Sequence, residues 1–278
     1  MDVRNIPVRI LRPVVRTIYS GPIKRIGDRL GMTSTLANQY WSLLYRISGD
    51  TIQHEIDGVS VQFNTKSVEE FKRFENLMDE RPVIEDVLSN IREEDVFFDI
   101  GANVGVYTCF LSVVLPQEQV YAFEPHPANI RGLSSNLELN ELNAQIQECA
   151  LTAESTEIEL AIDDNAVGVG THSTVGSSSS ETITVPGERG DDLLERKGLP
   201  QPTVLKIDVE GAEHDVVEGL KDTLANESCR LVYCEIHPGK LGREDSEEFE
   251  EDLKDLGFDL ERIHERDNEY FVRGTKRP

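Results

Sequence analysis

Apolar and polar residues alternate through residues 51–63, TIQHEIDGVSVQF, on either side of Asp57-Gly58. That dipeptide favours a two-residue turn, so the segment is predicted to be a β-hairpin. Over 68–91 the period changes: Phe71, Phe74, Leu77 and Met78 recur at helical spacing, with Pro82 as an interruption. From residue 95 strands and helices alternate. The run VFFDIGA is a strand entering a glycine turn, with a helix over 104–114; VYAFEP is a second strand, with a helix over 127–139. A third strand is expected over 144–151 and a fourth over 203–208, the latter followed by a helix over 212–220. A fifth strand over 231–236, a helix over 246–256 and a closing strand pair at 258–263 and 269–272 complete the series. Such alternation predicts a Rossmann-like α/β fold, with a mostly parallel sheet covered by helices on both faces. The short polar link before the last strand makes that strand antiparallel.

One stretch breaks the rhythm. Two strand-like runs, EIELAID and ETITVPG, flank the Gly/Ser-rich segment NAVGVGTHSTVGSSSS. It reads either as a surface loop or as a lid over the mouth of a cofactor site. The chain divides into an arm over 1–46, a hairpin-and-helix lead-in over 47–94 and the main domain over 95–278.

Composition narrows the class. Hydrophobic residues make up 38 % of the 278, enough for a packed core. No apolar run reaches the roughly 18 residues of a membrane span. Residues 1–20 hold four Arg and two Pro where a signal peptide needs a smooth apolar stretch, so a cytoplasmic protein is expected. Cys109, Cys149, Cys229 and Cys234 form no C-x-x-C pair and are expected to be reduced thiols. Cys229 and Cys234, five apart on one expected strand, would point to opposite faces and so not bridge.

The net charge is −24, and Lys supplies only 9 of the 28 cations. An acidic, lysine-poor surface suits a very salty cytoplasm, where screening within about 3 Å at 1 M salt relieves self-repulsion; this suggests a halophile. Residues 1–46 run the other way, with eight basic residues against Asp2 and Asp28, which leaves the remainder at −30. This arm would dock either on the acidic body of the protein or peripherally on anionic lipid. A body so acidic repels phosphate backbones, so no nucleic-acid partner is expected.

The chemistry concentrates at three strand ends. Phe98-Asp99-Ile100-Gly101-Ala102-Asn103-Val104-Gly105 joins a buried strand to a helix, and Gly101 and Gly105 leave room for backbone N–H groups to approach a ligand. Asn103 stands where a dinucleotide fingerprint has its middle glycine. Glu124 ends the next strand, where a carboxylate accepts hydrogen bonds from ribose hydroxyls, and Asp99 is placed to favour a cationic amino group. Beyond the fourth strand, Lys206 and Asp208 share a face by their spacing of two, and Asp208 and Glu210 are candidates to position an acceptor. Glu210 and Glu213 read equally as helix-start acids. His237, two residues after Glu235, is a candidate base or a structural histidine. No Cys/His spacing resembles a zinc site and Asp208 lacks an evident second half of a divalent site, so no metal is expected.

FDIGANVGVYT, YAFEPHP and LKIDVEGAEHDVVEGL, in this order and spacing, resemble the signature blocks of the FkbM-type S-adenosylmethionine (SAM) dependent methyltransferases. The likeness covers residues 55–273, and its third block is the most specific to the family. It implies a seven-stranded class I methyltransferase fold, with SAM as cofactor and a hydroxyl of a sugar, glycan or other small molecule as acceptor. By the same likeness Asp99, Gly101, Asn103 and Glu124 would contact SAM, and Glu148, Cys149, Ala150 and Leu151 would lie near adenine. Asp208, Glu210 and His237 remain the candidates for the base. Two rivals keep the fold: a nitrogen methyltransferase acting on protein or RNA, and a non-catalytic SAM-binding protein. Against the first, Asp208-Val209-Glu210-Gly211 stands where such enzymes often carry Asn/Asp-Pro-Pro-aromatic.

Overall fold

The computed structural model describes residues 41–42, 45–46, 49–161, 182–241, 243–266 and 269–276. Nearly all of the basic arm, and the segment read as loop or lid, lie outside the described residues. The chain divides into two compact units, Met1–Gln53 with Gln62–Met78 and His54–Val61 with Asp79–Pro278. The unit that carries the main sheet thus takes in residues before 95.

The expected hairpin is present as β1 (Thr51–Ile56) and β2 (Val59–Asn64). Asp57 and Gly58 both take positive φ, 49° and 83°, as a turn matched to strand twist requires. In the first unit, α1 (Val68–Glu75) opens with a capping box in which the Ser67 side chain and the Glu70 backbone N–H, and the Glu70 carboxylate and the Ser67 N–H, satisfy one another. Phe63 stacks on Phe74 at 4.6 Å. The helical period over 68–91 belongs to two helices, the second being α2 (Arg81–Asn90) in the second unit. Pro82 opens α2 instead of interrupting a helix, since a missing N–H costs nothing in a first turn.

In the second unit β3 (Phe97–Ile100) leads to α3 (Val106–Val114), and β4 (Val120–Phe123) to α4 (Pro127–Leu139). After β5 (Gln145–Gln147) the chain makes β6 (Ala150–Thr152), β7 (Thr156–Ala161), β8 (Thr182–Arg189) and α5 (Gly190–Lys197). It then continues through β9 (Val204–Ile207), α6 (Glu213–Gly219), α7 (Lys221–Ala225) and β10 (Leu231–Ile236). The last elements are α8 (Pro238–Leu241), α9 (Arg243–Asp255), β11 (Phe258–Arg266) and β12 (Glu269–Lys276). The main sheet has seven strands in the order β11-β12-β10-β9-β3-β4-β5. β12 lies between β10 and β11 and is antiparallel to both, so the expected antiparallel last strand is present.

Two expectations need correction. Residues 144–151 are not one strand: β5 pairs β4 in the main sheet, while β6 joins β8 and β7 in a separate three-stranded sheet. Cys229 precedes β10 instead of lying on it, held where its N–H donates to the Asn226 carbonyl at 3.0 Å. All four cysteines are nonetheless free and buried, as expected.

β3, β4, β9 and β10 are buried at every position, as strands covered on both faces must be. Strand alternation sends Phe98, Ile100, Leu205, Ile207, Val232 and Cys234 into one core with Leu193, Val216, Leu220, Phe249 and Leu253 from the covering helices. The alternate positions on β3 and β9, Asp99 and Lys206, are register partners and take the opposite face. Phe98 packs between the rings of Tyr121 and Phe123, each at 5.1 Å; its loss would cost about 3–5 kcal/mol.

Candidate active site

Three adjacent strand ends are stitched together where the ligand cleft opens. Gly101 and Ala102 donate to the Phe123 carbonyl at 3.0 and 3.1 Å, Glu124 N–H to the Gln147 carbonyl at 3.1 Å, and Asp208 N–H to the Ile100 carbonyl at 3.1 Å. These bonds bring the turn after β3, the end of β4 and the end of β9 to one place, the carboxyl edge where open α/β sheets bind ligands.

The Glu124 carboxylate organises this edge. One oxygen accepts from Asn103 N–H at 2.8 Å; the other accepts from His126 N–H at 2.9 Å and the Asn129 amide at 3.2 Å. Asn103 takes φ 52°, a region its short side chain tolerates, which turns its N–H toward that carboxylate. Glu210 takes φ 58° on the facing lip, where a non-glycine residue carries local strain.

The cleft measures roughly 920 Å³ when counted out through its open mouth into solvent. Gly101, Asn103, Glu124, Cys149, Ala150, Asp208 and Glu210 line it, with Ile100, Phe123, Leu151, Ile158 and Leu160 as apolar wall. Eight of the residues singled out in the sequence, Leu151 included, therefore meet there.

Gly105, Asp99, Lys206, His237, Glu148 and Glu213 do not line the cleft. Gly105 is the N-cap of α3, and its φ of 85° sets the helix direction. Asp99 is fully buried; one oxygen accepts from the Thr108 N–H and hydroxyl at 3.0 and 2.6 Å, and the other lies 3.4 Å from Lys206 Nζ. Strand alternation turns it toward α3 instead of toward a ligand amino group. Lys206 is equally withdrawn, donating to the Gly101 carbonyl at 3.0 Å and lying 3.2 Å from Asp208 Oδ2. Burial works against its charge, but Asp208 and Asp99 outweigh burial and raise its pKa, so it stays a cation and holds Asp208 in place.

His237 stands behind Asp208. Its Nδ1 lies 2.7 Å from Glu213 Oε1 and its Nε2 3.9 Å from Asp208 Oδ1. Burial would lower its pKa; the Glu213 hydrogen bond and the Asp208 charge raise it above the ordinary value. Burial likewise opposes ionisation of Asp208, yet Lys206 and then His237 hold its pKa below the usual range.

Glu80, Tyr107 and Arg266, outside the sequence-based set, complete this cluster with Glu235 and with Glu213, expected only as a helix-start acid. Arg266 pairs with Glu235 at 2.8 Å, Glu269 at 3.1 Å and Glu80 at 3.8 Å. Burial, then the Asp208 charge, pushes Glu80 up to about 7 and Glu235 up to about 10. Asp208, Glu235 and His237 also bring one ligand atom each within 4.8 Å of one another, a grouping that spacing along the chain conceals. Lys206 and Arg266 already engage the two carboxylates of that trio.

A family profile described as the methyltransferase FkbM domain matches residues 99–260, more than half of the chain. The chain belongs to the FkbM methyltransferase family. This FkbM-family chain is 35 % identical over 187 residues to the hexuronic acid methyltransferase AglP of Haloferax volcanii, covering 66 % of this chain and 74 % of that protein. It is 25 % identical over 182 residues to the 31-O-demethyl-FK506 methyltransferase FkbM of Streptomyces tacrolimicus, covering 55 % and 70 %. A solved FkbM methyltransferase from Methylobacillus flagellatus superposes with a TM-score of 0.48 at 14 % identity, covering 67 % of this chain and 45 % of that one.

The chain is thus a methyltransferase, and its cofactor is SAM. The cleft's lining fits that molecule in kind: the buried Glu124 carboxylate lies beside an apolar wall. Among the described residues no helix is long and apolar enough to cross a membrane.

Proposed function

We propose that this protein methylates an oxygen, a hydroxyl of a sugar or glycan acceptor. Asp208 carries this reading, because it is the ionised carboxylate of the buried cluster that also lines the cleft. Glu124 would hold the ribose hydroxyls of the cofactor, Ile100, Phe123, Leu151 and Leu160 would flank its adenine, and Cys149 and Ala150 would border it. When bound, SAM supplies a methyl group already activated by the sulfonium. The protein's remaining task is to align the acceptor oxygen at about 3–3.5 Å from the carbon it attacks and to take its proton. Asp208 receives that proton at Oδ1, with Lys206 fixing the other oxygen, and Glu210 on the lip orients the acceptor.

A relative named as a hexuronic acid methyltransferase supports a sugar-type acceptor. Its haloarchaeal source, together with the net charge of −24, supports a high-salt setting. The test is incubation of the full chain with methyl-labelled SAM and a glycan or lipid-linked glycan extract. Label is expected in an oxygen-bound methyl of a sugar. Label confined to protein or RNA, or cofactor binding with no transfer to any acceptor, would overturn the proposal.

A further inference from the structure

Glu213 is the first residue of α6, where an acid is favourable for the helix alone. That role needs only a solvated carboxylate, and Glu213 is wholly buried. Its Oε1 accepts from Gly211 N–H at 3.0 Å and lies 2.7 Å from His237 Nδ1. Its Oε2 is buried without a hydrogen-bond partner among the described residues. Burying a carboxylate is costly, and a helix start gains nothing from it. The arrangement does gain a fixed imidazole: with Nδ1–H committed to Glu213, the Nε2 lone pair faces Asp208, 3.9 Å away, which in turn faces the cleft.

We propose that Glu213 is a positioning residue, which holds His237 in the Nδ1–H tautomer so that Nε2 accepts the proton that Asp208 takes from the acceptor. The inference rests on the oxygen-methylation reading above. An oxygen lone pair of the acceptor forms the new O–C bond as the methyl C–S bond of the sulfonium breaks, its electron pair going to sulfur so that S-adenosylhomocysteine leaves. The O–H bond breaks with its pair kept on oxygen. The proton passes to Asp208 Oδ1 and, once the two side chains close from 3.9 Å to hydrogen-bond distance, on to His237 Nε2; Asp208 returns to carboxylate, and His237 ends as an imidazolium paired with the Glu213 charge. The imidazole is faced by Glu213 from α6, Asp208 from the end of β9, Glu235 from β10 and Glu269 from β12, while Lys206 neutralises Asp208 and Arg266 pairs with Glu235 and Glu269.

The test substitutes Glu213→Gln, which keeps an acceptor oxygen for Gly211 N–H and removes the charge. Two readouts are taken: ¹⁵N NMR of His237 in the cofactor-free full chain, and the pH profile of kcat with the labelled acceptor. In the wild type the NMR is expected to show the Nδ1–H tautomer. In the variant the His237 pKa and the acid limb of kcat are expected to fall together by about one pH unit, with kcat on the plateau down about 10-fold or more and SAM affinity unchanged. An Nε2–H tautomer in the wild type, or an acid limb that stays put while the His237 pKa falls, overturns the inference. Should the Gln variant unfold, Glu213→Asp draws the charge back by one methylene and is read in the same way. A wild type that transfers to no oxygen acceptor sinks the functional reading, and the tautomer then decides the positioning claim by itself.

Discussion

A Cβ built on Gly101 would lie 1.9 Å from the carbonyl oxygen of Asp208. The turn after β3 and the residue after β9 are in backbone contact, and Gly101 takes φ 75°, which side chains rarely adopt. Gly101→Ala is therefore expected to destabilise the chain by about 2–4 kcal/mol, combining left-handed strain with overpacking. Urea denaturation measures this. A loss under about 1 kcal/mol would mean that the two loops part easily.

Glu124→Ala removes the expected acceptor for the ribose hydroxyls and leaves Asn103 N–H and His126 N–H unanswered. SAM affinity in calorimetry is expected to weaken by about 1–3 kcal/mol, or ~5- to 150-fold. Undiminished affinity in a folded variant would remove Glu124 from cofactor binding.

His237→Ala is expected to lower turnover by about 10²- to 10⁴-fold, the range for a proton-accepting group, at unchanged SAM affinity. Equal loss of both would instead assign His237 to holding the cleft together.

Glu80 gives a pH-dependent stability. Its pKa rises from 4.5 to about 7 on folding, through burial first and the Asp208 charge second. The folded protein then holds this proton more tightly than the unfolded chain does, so the contribution is present below 4.5 and lost as pH rises toward 7. Glu80→Gln is expected to gain about 1–3 kcal/mol on the wild type between pH 4.5 and pH 8. Parallel stability curves for the two proteins would show that the Glu80 pKa does not change on folding.

What the chain's pattern reveals depends on what each signal encodes. Leu231–Ile236 was legible to the residue because a strand buried on both faces is a nearly continuous apolar run, here broken only by Glu235. Residues 144–151 look equally strand-like, but such a run does not say to which sheet it belongs, and the chain leaves the main sheet between Gln147 and Ala150. Asp99 shows the same limit for a single side chain: its place at a strand end is legible, while its direction follows from pairing with Lys206 across the sheet. The cleft residues were legible because they lie in contiguous motifs. Glu80 lies 19 positions before Asp99 in no motif, and only the packing of α2 brings it to Arg266.

β12 fills the place between β10 and β11, pairing with residues Leu231 to Ile236 on one side and Phe258 to Arg266 on the other. During synthesis β10 and β11 are therefore complete before the strand that joins them exists. Until residues 269–276 arrive, β10 presents an open, largely apolar edge of the kind that pairs with other chains. Nascent protein stalled at this stage is the form most exposed to aggregation, and the same eight residues that close the sheet also end that hazard.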